Sequence, residues 1–182
     1  MTGMDISAEM LDAAQSQALK EGVRGEYLLG DITRKKLPKR FDFVTAINDC
    51  INYIPKDKLS AAFKNVGGAL KKGGIFLFDI SSKRKYEQKL NGTVSADDRD
   101  DITYLAFNQL QGDRVTIDVT LFVKGQDNKF ERLDERHVQY VYEEDEIVQA
   151  LLANGFAVRC VEGHLGEDKT QSDRLLFTAV KQ

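Results

Sequence analysis

The chain has 182 residues, 42% of them hydrophobic and 30% charged, with a formal net charge of −3. That composition excludes a chain too polar to bury a core, and the length suits one domain with room for an elaboration. It also lacks the basic balance of a nucleic-acid binder, and no apolar run approaches the roughly eighteen residues of a membrane span. Cys50 and Cys160 are too few for the disulfide framework of a small secreted domain, and the first residues show no secretory leader, so a cytoplasmic, reduced protein is the simplest reading.

The opening stretch, Gly3-Met4-Asp5-Ile6-Ser7, reads as a strand end running into a helix N-terminus. A helix is expected over 7–21, with Ser7 as N-cap, Met10, Ala14 and Ala18 on one stripe, and Gly22 as the stop. The apolar runs EYLLGDI (26–32) and FDFVTAIN (41–48) read as buried strands. Between them TRKKLPKR (33–40) carries five cations, the mark of a solvated loop.

The next helix, about 56–70, spaces Leu59, Ala62, Phe63, Val66 and Leu70 as one buried face, and Gly73-Gly74 ends it before the strand IFLFDI. Alternating strands and helices with continuous apolar strands predict a parallel sheet covered on both faces. The polar stretch 81–101 reads as a helix fragment followed by a mobile surface loop.

The period then becomes two. Val115, Ile117, Val119, Leu121 and Val123 alternate with Thr116, Asp118, Thr120, Phe122 and Lys124, a half-buried antiparallel strand. With ITYLAFNQL (102–110), the Gln111-Gly112-Asp113 turn and a third strand near 129–142, it forms an antiparallel meander. A helix over 143–154, opened by Glu143-Glu144-Asp145 and closed by Asn154-Gly155, and the strands FAVRCVEGHL and RLLFTAVK complete the chain. The meander is thus an insertion, giving a core of 1–82 plus 143–182 and an insert of 83–142 that serves as lid or recognition surface.

Ligands of open α/β sheets bind beyond the carboxyl ends of the strands. Those ends carry Met4-Asp5-Ile6, Gly30-Asp31-Ile32, Asn48-Asp49 and Asp79-Ile80-Ser81, an acid at each. Asp5 can accept from both hydroxyls of a ribose, and Asp31 from an exocyclic amine such as adenine's. Singly each serves as well as a turn or cap residue; as a pair on neighbouring strand ends they describe an adenosine site.

GMDISAEMLDAAQ, LLGDI, FDFVTAINDCINYI and FKNVGGALKKGGIFLFDI, in this order and spacing, resemble the second to fifth strand regions of class I S-adenosylmethionine-dependent methyltransferases, closest to bacterial members with a similar antiparallel insert. The likeness is strong over 2–80 and extends through most of 143–181. It implies a Rossmann-like α/β sheet of strand order 3-2-1-4-5-7-6 and S-adenosyl-L-methionine as cofactor. It further implies the ribose on Asp5 beside Met4 and Ile6, adenine near Asp31 and Ile32, and the methionine and methyl groups near Asn48 and Asp49.

The departure is the family's D-x-G-x-G-x-G loop after strand one, which nothing upstream of MTGMDIS supplies. Gly67-Gly68 falls on a helix and Gly73-Gly74 at the amino end of a strand, so neither replaces it. The expectation is therefore an N-terminally truncated sheet with an aggregation-prone gap in its middle, a fragment of a longer protein.

Methyl transfer from a sulfonium is an in-line displacement, so positioning is the main demand, and a base is needed only where the acceptor must lose a proton. Asp49 is the candidate base or acceptor-orienting group, or else a loop-capping residue. Tyr53 lines an acceptor pocket or packs beside Ile51 and Ile54. Glu135, His137 and Gln139 share one strand face, opposite Val138, Tyr140 and Tyr142. Solvent is the more ordinary fate of such a face; a meander folded over the cleft makes His137 a substrate contact. His164 reads as a surface residue, and the scattered His and Cys predict no metal.

The resemblance implies methyl transfer to a small molecule, with nucleic acid disfavoured, no membrane partner, and a homo-oligomer left open. The competing readings are a non-catalytic binding protein of degenerate methyltransferase fold and a nicotinamide-dependent enzyme, though the Asp31 type of acid is less natural in the latter.

Overall fold

The computed structural model describes residues 1–37 and 40–182. Pro38 and Lys39 of the basic stretch lie outside the described residues. Among the described residues ten strands and four α-helices follow one another, in the order expected except for one additional strand at Val94–Asp98. Strand β1 (Thr2–Asp5) leads into α1 (Ala8–Lys20), where Ser7 Oγ accepts from Met10 N at 3.1 Å. Strand β2 (Glu26–Leu29) pairs parallel with β1 in a two-stranded sheet. Strands β3 (Phe41–Ala46), β4 (Leu70–Ser81), β9 (Phe156–Gly163) and β10 (Arg174–Lys181) make a second sheet, ordered β3-β4-β10-β9.

Strand β3 runs parallel to β4, while β10 is antiparallel to both of its neighbours. Taken as β2-β1 and β3-β4-β10-β9, this is the implied order without its first strand: β1 and β3, which would flank that strand, belong to different sheets among the described residues. The expectation of an all-parallel sheet is corrected at the chain's end.

Helix α2 (Leu59–Ala69) buries Leu59, Ala62, Phe63 and Val66, as its spacing predicts. Leu70 already belongs to β4, which begins before Gly73-Gly74. Gly73 takes φ +78°, a conformation that costs glycine least, where the register of β3 against β4 shifts. Helix α4 (Glu144–Ala153) adds Ile147 and Leu151, and both helices cover the β4 face that carries Phe76, Phe78 and Ile80.

The opposite face departs from expectation. Phe43 and Ile75 sit directly across the β3–β4 pair and are 51% and 37% exposed, because no helix covers that face among the described residues. The stripe on α1 is likewise open: Ala18 is buried but Met10 is exposed, since a two-stranded sheet is too narrow to cover it. An apolar run records that a segment can be buried, not that a covering element is present.

The α4 cap is a reciprocal box in which Glu143 N donates to Glu146 Oε2 at 2.8 Å. Lys56 Nζ donates to Glu146 Oε1 at 2.8 Å. Partial burial pushes the Glu146 carboxyl up, but the Lys56 contact and the Glu143 N–H prevail and hold it below the ordinary value. A carboxyl lowered on folding contributes stability above its unfolded pKa and loses it as pH falls through the folded one. The unfolding free energy of E146Q is therefore expected to fall less steeply than that of the parent between about pH 5 and pH 3, by under about 1 kcal/mol for so exposed a pair. Parallel slopes in urea titrations would refute this.

After β4, α3 (Lys83–Lys85) and one wide helical turn (Tyr86–Leu90) lead into a meander of β5 (Val94–Asp98), β6 (Ile102–Gln111), β7 (Arg114–Lys124) and β8 (Phe130–Tyr140), paired in chain order. The expected loop at 81–101 is thus corrected: β5 pairs with β6 through its backbone while all five of its side chains stay exposed, so its sequence carries no hydrophobic alternation. Gly112, at φ +62°, makes the tight β6–β7 turn.

Three polar contacts fasten the meander to the sheet. Buried Asn52 donates to Tyr140 O at 2.9 Å and accepts from Ser81 N at 2.8 Å, and Tyr142 Oη donates to Ile54 O at 2.6 Å. The third is made by Gln139.

Candidate active site

Beyond the carboxyl end of β3 the chain turns through Asn48 and Asp49, both left-handed at φ 61° and 51°, into the single 3₁₀ turn Cys50–Tyr53. Asn and Asp are the non-glycine residues that best tolerate this geometry, which nonetheless costs about 1–2 kcal/mol per residue. Asp79, at the end of β4, helps hold it: Asp49 N donates to Asp79 Oδ1 at 3.2 Å.

Asp49 stands at the N-cap position of that turn and its carbonyl accepts from Asn52 N at 2.9 Å, but its side chain makes no capping bond. Its Oδ1 accepts from Arg174 Nη2 at 2.9 Å and its Oδ2 from Gln139 Nε2 at 3.1 Å. Arg174 Nη1 pairs with Asp79, whose side chain is 4% exposed, and reaches Asn48 Oδ1 at 3.4 Å. Gln139 also accepts from the buried Tyr86 hydroxyl at 2.8 Å, and burial pushes that phenol well above its ordinary range.

On the face of β8 that carries Glu135, His137 and Gln139, only Gln139 is buried over the strand ends; His137 and Glu135 stand at the cavity's rim with 36% and 59% of their side chains exposed, so the solvent reading is corrected at Gln139 and holds for Glu135. Gln139 is 4% exposed. The His137 ring meets Tyr53 edge-on, centroids 6.0 Å apart, and its Nε2 lies 3.2 Å from Glu135 Oε2. Tyr53 does not pack away with Ile51 and Ile54: they are buried and it is 45% exposed, facing the same space. Its phenol is raised by burial and by the charge of Asp49.

These residues line a cavity of about 380 Å³ between the Asp49–Tyr53 turn, α3 and the inner face of the meander. Tyr104, Asn108, Ile117 and Lys85 complete its principal walls. Sequence reasoning missed Arg174 and Lys85 altogether and gave Asp79 no role beyond its place at a strand end.

The β1 and β2 ends present the other carboxylates. Asp5 Oδ1 accepts from Ser7 N at 2.9 Å, leaving Oδ2 without a hydrogen-bond partner among the described residues. Asp31 Oδ1 accepts from Thr33 N at 2.8 Å, and among the described residues Oδ2 has only a long ion pair to Arg34 at 3.7 Å. Slight burial raises the Asp31 carboxyl, but bonding from Thr33 and the charges of Arg34 and Lys58 outweigh it and leave it below the ordinary value. Beside Asp5, Ile6 is 76% exposed, while Ile32 packs partly against the core.

Cys50 connects the two halves. Cys50 is exposed by surface area, yet the atoms packed around its thiol raise it by desolvation, and the charges of Asp5, Asp79 and Asp49 raise it further. The unpartnered Oδ2 of Asp5, the partly exposed Asp31 carboxylate with its long Arg34 contact, and the exposed Ile6 side chain are groups of the kind that the adenosine half of the expected cofactor would meet.

Comparison with known proteins agrees. A family described as a methyltransferase domain matches residues 1–74. The proteins named "Putative methyltransferase GWCH70_2453" of Geobacillus sp. (strain WCH70) and "Putative methyltransferase YqeM" of Bacillus subtilis (strain 168) are 30% and 31% identical, each across 100% of this chain and 75% of its own length. The crystal structure of an S-adenosylmethionine-dependent methyltransferase from Clostridium acetobutylicum ATCC 824 superimposes with a TM-score of 0.92 at 28% identity, over 99% of this chain and 74% of that one. Similarity of this degree along the whole chain, on the sheet order that the strand ends require, is common descent: the chain belongs to the class I S-adenosylmethionine-dependent methyltransferases.

Proposed function

We propose that this methyltransferase acts on a small molecule held in the cavity between the Asp49–Tyr53 turn and the meander. The observation that carries the reading is that Asp49, at the end of the strand after the adenosine-side acids, is itself a wall of that cavity. Met4, Asp5 and Ile6 hold the ribose side of S-adenosylmethionine, Asp31 and Ile32 the adenine side, and Asn48 the methionine side. The cofactor supplies a sulfonium methyl group open to in-line displacement.

The protein's part is to bring an acceptor atom onto that line and keep water off it. Both Asp49 oxygens are engaged, so Asp49 orients the acceptor and the turn rather than taking a proton. His137 is the better proton acceptor: Glu135 lies within hydrogen-bond distance of Nε2, and Tyr53 limits the ring's rotation. The insert (83–142) acts as the lid and recognition surface, since it supplies His137, Gln139 and Tyr104 to one cavity.

Calorimetric titration with S-adenosylhomocysteine tests the assignment. The parent chain is expected to bind, and D5A to bind at least about tenfold more weakly, the scale of a charge-assisted hydrogen bond. Equal affinity in D5A removes Asp5 from the site, and absence of binding by a folded parent chain removes the cofactor assignment from these residues.

A further inference from the structure

The charges around the cavity do not cancel. Asp49 and Glu135 stand in its wall and Asp79 lies directly behind Asp49, while the cations set against them among the described residues are Arg174 and Lys85. The single charge of Arg174 is divided between Asp49 and Asp79. Lys85 Nζ donates to Ser81 Oγ at 2.9 Å. Glu135 faces His137, which offsets it only once protonated. Three carboxylates thus meet two cations, and the site keeps one negative charge in excess.

Neighbouring groups register that excess. The Tyr53 phenol is raised first by burial and next by the charge of Asp49. The Tyr86 phenol, behind Gln139, is raised chiefly by burial, and there the charge of Asp49 outweighs the opposing one of Arg174.

Unpaired oxygens line the same space. Glu135 Oε1 has no hydrogen-bond partner among the described residues, its Oε2 alone lying 3.2 Å from His137 Nε2. Asn108 is 6% exposed, and its amide nitrogen is turned to Thr93 O at 3.4 Å, which leaves Oδ1 unpartnered among the described residues. Tyr53 and Tyr104 add two aromatic rings, whose faces attract cations. Excess negative charge, unpaired oxygens and aromatic faces together suit an ammonium, whose three donors need acceptors.

We infer that the methyl acceptor is an amine, that it enters as its ammonium ion, and that Glu135 and the Tyr53 ring receive it at the rim. This rests on the reading of the cavity as the acceptor site. With Nε2–H turned to Glu135, Nδ1 is the basic atom of the His137 ring. The ammonium gives one proton to Nδ1, and the imidazolium so formed pairs with Glu135. The freed lone pair on nitrogen then makes the N–C bond to the methyl carbon as the C–S bond of the cofactor breaks and its electrons stay on sulfur. Positive charge passes from sulfur to nitrogen, and the methylated product is again an ammonium.

The test is an NMR titration of the chain carrying ¹³C-labelled tyrosine rings, at pH 7 and constant ionic strength, with cyclohexylammonium chloride and separately with cyclohexanol and sodium cyclohexanecarboxylate. The three probes share one ring and differ in charge. The Tyr53 and Tyr104 signals are expected to shift saturably with the ammonium, at about three- to tenfold higher affinity than with the alcohol, the scale of an exposed ion pair joined to a cation–π contact. The carboxylate is expected to bind more weakly than the alcohol. E135Q is expected to lower the ammonium affinity about three- to fivefold and to leave the alcohol's unchanged. E131Q, which removes a charge from the same face of β8 outside the cavity wall, is expected to leave both unchanged.

Alcohol binding as tight as the ammonium's, carboxylate binding tighter than the alcohol's, or an E135Q sample with the parent's ammonium affinity overturns the inference and leaves the cavity reading standing. Failure of all three probes to shift either tyrosine overturns both. A parallel titration with S-adenosylhomocysteine reports on the cofactor alone: an ammonium response without cofactor binding sinks only the cofactor assignment.

Discussion

The R174A variant is expected to unfold about 2–3 kcal/mol more readily than the parent chain, and R174K to recover part of that loss. Arg174 spans Asp49 and Asp79 with two nitrogens of one planar group, so its removal leaves two carboxylates facing one another at the ends of β3 and β4. Asp79, 4% exposed, cannot regain full hydration, and it also fixes the left-handed Asp49 through the peptide N–H. Loss of one partner of a buried pair commonly costs about 3–5 kcal/mol; Arg174 is 29% exposed, which reduces the figure.

Lysine restores the charge but not the fork that serves both acids at once. Because the penalty comes from the orphaned acid, the double variant D79N/R174M is expected to be more stable than R174A. Urea unfolding followed by circular dichroism measures all four proteins. An R174A curve within about 0.5 kcal/mol of the parent, the usual scatter of surface changes, would show that the bridge holds nothing in place.

The second large effect lies in the core. Phe78 is fully buried, stacked on Phe76 at 4.6 Å and on Phe177 at 5.0 Å, with Phe63 at 5.6 Å from the helix above. It therefore joins β4, β10 and α2 at a single point. F78A is expected to cost about 3–5 kcal/mol, from lost burial and from a cavity that three rigid rings cannot collapse to fill. F78L keeps most of the volume and is expected to cost well under half as much.

A domain of ordinary stability holds only about 5–15 kcal/mol, so F78A removes a large part of it. Thermal unfolding is expected to show a midpoint lower by about 10 °C, and a shift below about 4 °C would contradict the packing described.

Local pattern made much of this fold legible. The three-and-four spacing of Leu59, Ala62, Phe63 and Val66 marked α2, and the alternation from Val115 to Val123 marked β7, because in each the apolar residues fall on one face of the element. Strand β5 was illegible for the converse reason: it contributes backbone pairing alone, and hydrogen bonding leaves no trace in side-chain type.

The candidate site divides in the same way. Asp5, Asp31 and Asp49 stood out because each ends a strand, a position that sequence reveals. Arg174 did not, since it lies 125 residues from the acid it holds and nothing in RLLFTAVK distinguishes a bridging arginine from a solvated one. For His137 alternation gave two faces but not which one meets the cavity, a choice made by the bonds Asn52–Tyr140, Asp49–Gln139 and Ile54–Tyr142, whose partners lie 88 to 90 residues apart.

Those three anchors divide the meander into a conserving part and a variable part for anyone redesigning it. Substitutions at Tyr104, Leu121 or Glu135 alter the cavity wall without touching a fastening, whereas substitutions at Asn52, Gln139 or Tyr142 move the whole sheet. The β6–β8 surface can therefore be varied to reshape the cavity while the strand-end carboxylates Asp5 and Asp31 are left as they stand.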